Sequence, residues 1–146
     1  MKYLVSSISD VDSIEDGGWE KLIYVNRTAP IAAEYGLGIE IAEFCISDNM
    51  ENCFDDVIPH AEHNAKSAAL KTLHAPYNEL FPHAIDPKVV SVAYDRYHQS
   101  WGLCERLGAC KMIVHANYIE TLYHPVWFVA RQVEFWKRFL SEHSED

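Results

Sequence analysis

Two histidines in this sequence lie at or next to the end of a short segment that suits a strand. His74 is the second-to-last residue of LKTLHA over residues 70–75, and His115 is the last residue of CKMIVH over residues 110–115. If these segments are neighbouring parallel strands, both imidazoles face one cavity, where they can share a metal ion or contact the same substrate oxygen. Taken singly, each could equally be a strand-end histidine bonded to a loop. Together they favour a site.

Two carboxylates lie in another apolar segment, GIEIAEFCI over residues 38–46. A carboxylate inside an apolar strand is costly to bury unless it is paired or bound. Side-chain alternation along a strand places Glu40 and Glu43 on opposite faces, and we choose Glu40 as the one that points into the site. The alternative is a salt bridge to a lysine of a neighbouring strand, Lys71 or Lys111.

The loops that follow the two histidines add polar side chains at the same edge of the predicted sheet. Tyr77 follows His74, Asn117 follows His115, and both are predicted to contact substrate. The other six histidines show no spacing that indicates a metal site. We assign these to the surface or to capping positions: His60, His63, His83, His98, His124 and His143.

These residues need a framework of alternating strands and helices, and hydrophobic periodicity supplies one. The predicted strands are residues 2–8, 38–46, 70–75 and 110–115. The predicted helices are residues 19–35 with a kink or break at Pro30, residues 50–69, residues 87–107, and a last helix from near Pro125. Asp86 and Pro87 suit the N-cap and first position of the third helix, and Gly108 suits its end.

This βαβαβαβα order implies parallel strands with helical crossovers, since parallel neighbours cannot be joined by a tight hairpin. Two architectures fit: a small open doubly wound sheet, and half of a closed barrel. The sequence has no GxGxxG and no phosphate-binding GxxxxGK loop. Its polar residues instead recur near the carboxyl ends of strands, where barrel enzymes assemble their active sites. We therefore predict one α/β domain over residues 1–146, a parallel (βα)4 half of a TIM barrel.

Composition narrows the function classes. Hydrophobic residues make up 49% of the 146 residues, which indicates a globular chain. Twenty-two acidic against 12 basic residues give a net charge of -10, which argues against nucleic-acid binding. The four cysteines lack CxxC spacing, so neither a zinc ribbon nor a thioredoxin-like motif is indicated. Without a signal peptide or membrane span in the sequence, we expect a cytoplasmic protein.

Several short motifs together resemble the xylose-isomerase-like TIM barrels. They are GIEI at residues 38–41, LHAPY at residues 73–77, Arg96 followed by LGA at residues 107–109, and MIVHAN at residues 112–117. That superfamily includes sugar-phosphate isomerases and epimerases and the metal-dependent apurinic endonucleases of family 2.

The resemblance implies roles for three residues. By position, His74 and His115 would line the active site, and Glu40 would be the glutamate of the second strand. In the endonuclease branch both histidines bind zinc, whereas in the epimerase branch they more often contact substrate around one divalent ion. The sequence departs from the endonuclease pattern after His115, where Ala116-Asn117-Tyr118 replaces a glycine-containing turn.

The resemblance covers four βα units, and the family's remaining metal ligands lie chiefly on strands five to eight. We therefore expect a homodimer that completes or covers the half-barrel. The expected function is that of a sugar or sugar-phosphate isomerase or epimerase, with proton transfer assisted by a divalent metal ion (Zn, Mn or Mg), inactive alone if the second half is missing. The alternatives are an endonuclease-like metal-dependent phosphodiesterase and a non-catalytic ligand-binding or assembly half-barrel.

Overall fold

Strands and helices alternate along residues 3–9 and 28–143, the part of the chain that the computed structural model describes. The strands are β1 (Leu4–Ser6), β2 (Gly38–Ile41), β3 (Lys71–His74) and β4 (Met112–Ile113). The helices are α1 (Thr28–Tyr35), α2 (Ser47–Glu51), α3 (Phe54–Ser67), α4 (Pro87–Leu107) and α5 (Pro125–His143).

The four strands form one parallel sheet in the order β1-β2-β3-β4. The predicted α/β class with a parallel sheet is therefore confirmed. Each strand lies next to its neighbour in sequence, as in a barrel, whereas a doubly wound sheet reverses its strand order at a switch point. The described order is compatible with half of a barrel.

Alternation along the strands separates a core face from a second face. Ile39, Ile41 and Leu73 are fully buried and form one hydrophobic core with residues of α1, α3 and α4. A second cluster joins α4 to α5 around Tyr97 and Phe139. The alternate strand positions, which include Glu40, Thr72 and His74, lie on the opposite face of the sheet.

The ends of α4 follow the predicted capping signals. The Asp86 carboxylate accepts a hydrogen bond of 2.8 Å from the backbone N–H of Lys88, and Pro87 occupies the first turn. Gly108 ends the helix with a φ of 66°, the left-handed conformation that glycine adopts without a steric penalty. The start of α5 at Pro125 also agrees with the prediction.

Several predicted elements differ in extent, and the predicted strand 110–115 shortens to Met112–Ile113. The predicted strand 38–46 ends at Ile41 because the chain turns, with the N–H of Cys45 donating to the carbonyl of Ala42 at 3.0 Å. The predicted helix 50–69 is two helices, α2 and α3, separated at Asn52 and Cys53. Of the predicted helix 19–35, residues 19–27 lie outside the described part, and Pro30 stands in the first turn of α1, where a missing N–H costs little.

All four cysteines are free thiols. Burial raises the pKa of Cys45 to about 11, with the nearby Glu43 acting in the same direction. Burial likewise raises the pKa of Cys104 to about 11. Both thiols therefore stay protonated and unreactive at neutral pH. Within the described ranges, none of the helices has the length and apolar character needed to cross a membrane.

Candidate functional site

The structure brings His74 and His115 into contact at the carboxyl ends of β3 and β4. His74 is paired in register with Ile113. His115 lies two residues beyond Ile113, just past the end of β4. The two Nε2 atoms are 3.1 Å apart, and the ring centroids are 5.0 Å apart. The parallel register thus places two imidazole nitrogens side by side, as the sequence predicts.

The backbone fixes which nitrogen of His74 carries its proton. Nδ1 of His74 lies 2.8 Å from the carbonyl oxygen of Ala75, and a carbonyl can only accept. Nδ1 is therefore the donor, and the lone pair on Nε2 points at His115. A carbonyl holding the far nitrogen is also the usual support of a metal-binding histidine. Two tetrahedral zinc ligands lie about 3.3 Å apart, close to the separation of these Nε2 atoms.

Tyr77 closes one side of the histidine pair. Its ring stacks on His115 with centroids 4.5 Å apart and planes 20° apart, and its centroid is 5.4 Å from that of His74. Tyr77 is half-buried, so part of the ring faces solvent. Three rings with polar edges therefore form one continuous surface, which suits a small ligand with several hydroxyl groups.

Asn117 joins the loop after β4 to the loop after β3. Its Nδ2 donates hydrogen bonds to the carbonyl oxygens of Tyr77 at 2.5 Å and Leu80 at 2.7 Å. Its φ of 52° lies in the left-handed region, which asparagine tolerates better than most residues. Both amide hydrogens are thus used within the protein. Contact with a ligand, the role predicted for Asn117, would have to come from Oδ1.

Glu40 lies on the same face as the histidines but one strand further along the sheet. It is paired in register with Ser6 of β1 and Thr72 of β3, and it is half-buried. Within the described ranges the Glu40 side chain makes no hydrogen bond or salt bridge, so the alternative of a lysine partner does not apply to it. The Thr72 hydroxyl between Glu40 and His74 is buried, and it has no hydrogen-bond partner in the described part.

Glu43, not Glu40, is the fully buried carboxylate. Its Oε2 accepts a hydrogen bond from the Ser7 hydroxyl at 2.8 Å, and its Oε1 accepts one from Asn64 Nδ2 at 2.5 Å. The strand alternation used to assign its direction does not reach Glu43, because β2 has already ended. Glu43 links the turn after β1, the turn after β2 and α3, so its position indicates a structural role.

His83 is also buried, and its assignment to the surface or to a cap is wrong. Its Nδ1 accepts a hydrogen bond from Gln132 Nε2 at 3.1 Å. The same Nε2 donates to the carbonyl of Ala116 at 3.0 Å, and Gln132 Oε1 accepts from Trp136 Nε1 at 2.8 Å. Burial lowers the pKa of His83. Gln132 thus holds both loops of the site against α5, a role that no motif in the sequence indicates.

Few side chains at this site could bind a metal ion. Among residues 3–9 and 28–143, no three histidine, cysteine, aspartate or glutamate side chains converge in a metal-binding arrangement. His74 and His115 could therefore supply two ligands, with Nε2 atoms 3.1 Å apart. Any further ligand would come from water or from outside the described ranges.

No protein-family model matches the sequence, and no curated protein matches it significantly. The resemblance to xylose-isomerase-like barrels therefore rests on its short motifs alone.

Proposed function

We propose that this protein is a sugar or sugar-phosphate isomerase- or epimerase-like half-barrel. In this proposal His74 and His115 bind a small carbohydrate and a divalent metal ion at the carboxyl ends of β3 and β4. The observation that carries it is the 3.1 Å contact between the two Nε2 atoms at the strand ends. Barrel enzymes place their chemistry at this end of the sheet.

Isomerisation next to a carbonyl needs a group that accepts a proton and groups that hold the substrate oxygens. Imidazole side chains are the usual proton acceptors and donors of such reactions. Glu40 shares their face of the sheet and would bind or orient a sugar hydroxyl, and the Thr72 hydroxyl lies between them. Tyr77 would pack against the ligand. A bound metal ion would supply polarisation of substrate oxygens.

We also propose that a second copy of the chain completes the site. All helices packed on the sheet in the described part lie on the face of Ile39, Ile41 and Leu73. Parallel sheets are normally covered on both faces. The strands β1 and β4 are the edges of the sheet in the described ranges, and such edges invite pairing. A second copy would cover the face that carries Glu40 and His74, and it could add the ligands that the histidine pair lacks.

Exchange of a substrate hydrogen with solvent tests the function directly. Ketose and aldose phosphates would be incubated in D₂O with Mn²⁺ or Zn²⁺, and deuterium at the carbon next to the carbonyl would be read by NMR. We expect exchange with the natural sequence, and a loss of at least about tenfold in His74→Ala and His115→Ala, within the usual effect of removing an acid–base group. His124→Ala, which changes an exposed histidine of the same loop region, serves as the control.

The same variants separate the alternatives. If no sugar exchanges hydrogen but a small phosphodiester is hydrolysed with Zn²⁺, and His74→Ala abolishes that hydrolysis, the protein is a phosphodiesterase. The all-nitrogen donor pair favours this second candidate, because imidazole suits zinc. If the histidine variants change neither activity nor any ligand affinity, the half-barrel is an assembly protein and the catalytic proposal fails.

A further inference from the structure

A second histidine pair lies between α4 and α5, away from the strand ends. His98 is on α4, and His143 is the last residue of α5. Nδ1 of His98 lies 3.1 Å from Nε2 of His143, and their ring centroids are 4.8 Å apart. Both rings are half-buried, so solvent and dissolved ions can reach them. The sequence spacing of these histidines gave no sign of this contact.

A carboxylate supports the far side of His98. Oε2 of Glu142 lies 3.4 Å from His98 Nε2, on the nitrogen that does not face His143. A carboxylate accepts, so it favours the tautomer of His98 with a proton on Nε2 and a lone pair on Nδ1. Metal-binding histidines commonly donate their other N–H to a carboxylate in this way. Arg138 Nε lies 3.5 Å from Oε1 of Glu142, so the arginine charge is paired with the same carboxylate.

Aromatic packing fixes the second ring. Trp101 stacks on His143 with centroids 4.5 Å apart and planes 23° apart. Phe139 contacts both histidine rings, with centroids 5.0 Å from His98 and 4.5 Å from His143. The two nitrogens are therefore held by packing on both helices, and little side-chain freedom remains to be lost when a ligand binds.

We propose that His98 and His143 form a second divalent transition-metal site that takes Zn²⁺, with Glu142 orienting His98 and water completing the coordination. Two zinc-bound nitrogens lie about 3.3 Å apart in a tetrahedral site, close to the 3.1 Å found here. Imidazole nitrogens suit zinc, nickel and copper, whereas magnesium and calcium prefer oxygen ligands. The bound ion links the carboxyl end of α5 to the middle of α4, so it stabilises the folded chain.

Zinc titration of a variant that lacks the strand-end pair tests this site by itself. In the double variant His74→Ala/His115→Ala, isothermal calorimetry at about pH 7.5, where imidazoles are mostly neutral, should show one bound zinc per chain. Adding His98→Ala or His143→Gln should weaken that binding at least tenfold, whereas adding His124→Ala should leave it unchanged. Equal zinc affinity in all these variants, or no zinc binding in the double variant, overturns the proposal.

Tryptophan fluorescence gives a readout that is local to the pair. Ni²⁺ bound between the two histidines would lie next to Trp101 and should quench its emission. The quenching should saturate, and it should disappear in Trp101→Phe while calorimetric binding persists. Saturable binding with quenching that survives in Trp101→Phe would place the metal elsewhere. Circular dichroism of each variant distinguishes lost binding from lost folding, and His98→Gln replaces His98→Ala if the latter unfolds.

Discussion

The Ser7 hydroxyl donates a hydrogen bond of 2.8 Å to the Glu43 carboxylate across a sequence separation of 36 residues. The same hydroxyl accepts the backbone N–H of Ala42 at 2.9 Å. Asn64 from α3 donates to the other carboxylate oxygen. A single buried carboxylate therefore joins three segments just beyond the ends of β1 and β2.

Removing this carboxylate should destabilise the fold strongly. In Glu43→Ala the Ser7 hydroxyl and the Asn64 amide lose a buried partner, and a cavity is left. We expect the free energy of unfolding to fall by about 3 kcal/mol, since buried donors left without partners cost ~1–3 kcal/mol each. Urea denaturation followed by circular dichroism measures this change.

Glu40→Ala is the matched control for Glu43→Ala. The Glu40 side chain is half-buried and makes no hydrogen bond or salt bridge in the described ranges, so the free energy of unfolding should change by less than about 1 kcal/mol. Sugar binding should weaken instead if the proposed site is right. A larger stability loss in Glu40→Ala than in Glu43→Ala would contradict the assignment of the two carboxylates.

Asn117 should stabilise the site through two separate effects. Asn117→Gly removes the hydrogen bonds to Tyr77 and Leu80 but accepts the φ of 52°. Asn117→Ala removes the same bonds and adds a left-handed backbone penalty of about 1 kcal/mol. The order of stability should therefore be Asn117, then glycine, then alanine. Thermal melts of the three proteins check this order, and alanine at or above glycine would show that the left-handed conformation does not persist in solution.

His83 should make the fold sensitive to acid. Burial lowers the pKa of His83 in the folded state, so the unfolded chain binds a proton more readily. The contribution of His83 to the free energy of unfolding is then fully present above the unfolded pKa of about 6.5. This contribution is lost as the pH falls below that value towards the folded pKa. Urea midpoints at several pH values between neutral and mildly acidic should fall less steeply in His83→Gln than in the natural sequence. Parallel curves would mean that His83 is accessible to protons in the folded state.

The sequence predicts the position of a site residue better when strand register fixes that position than when a turn does. His74 ends β3 and His115 lies two residues past the end of β4, and the parallel pairing of these strands brings both histidines to one edge of the sheet. Glu43 was placed by extending strand alternation past Ile41, where the chain has already turned. Local periodicity carries no signal for where a strand stops when the next residues, such as Phe44 and Cys45, are also apolar.

The sequence could not predict the contacts that α5 makes with distant parts of the chain, for a different reason. The position of Gln132 against His83, and that of His98 against His143, depends on how α5 packs against α4 and the loop after β3. These residues are separated by more than 40 positions, and neither pair forms a motif. The capping signals of α4, in contrast, act within a few residues of Asp86 and Gly108, so the sequence alone locates both helix ends.

The proposed homodimer makes a specific prediction about two helices. If two half-barrels close one barrel, β4 of each copy lies next to β1 of the other, and α5 packs against the other copy's α1. Both helices expose apolar side chains: on α5, Val129 is 55% exposed and Val133 is 46% exposed, and on α1, Ile31 is 48% exposed. Burial of such exposed valine and isoleucine side chains against a partner lowers the free energy and so favours the dimer.

Light scattering on a size-exclusion column should therefore give about twice the 16.7 kDa of one chain. Val129→Glu and Ile31→Glu should each shift the protein towards the monomer, because each buries a charge in the contact. Val92→Glu, on the exposed face of α4 between the two contacts, should leave the dimer intact. A monomer for the natural sequence at every concentration would exclude barrel closure by a second copy, and a dimer broken by Val92→Glu but not by Val129→Glu would place the interface on another face.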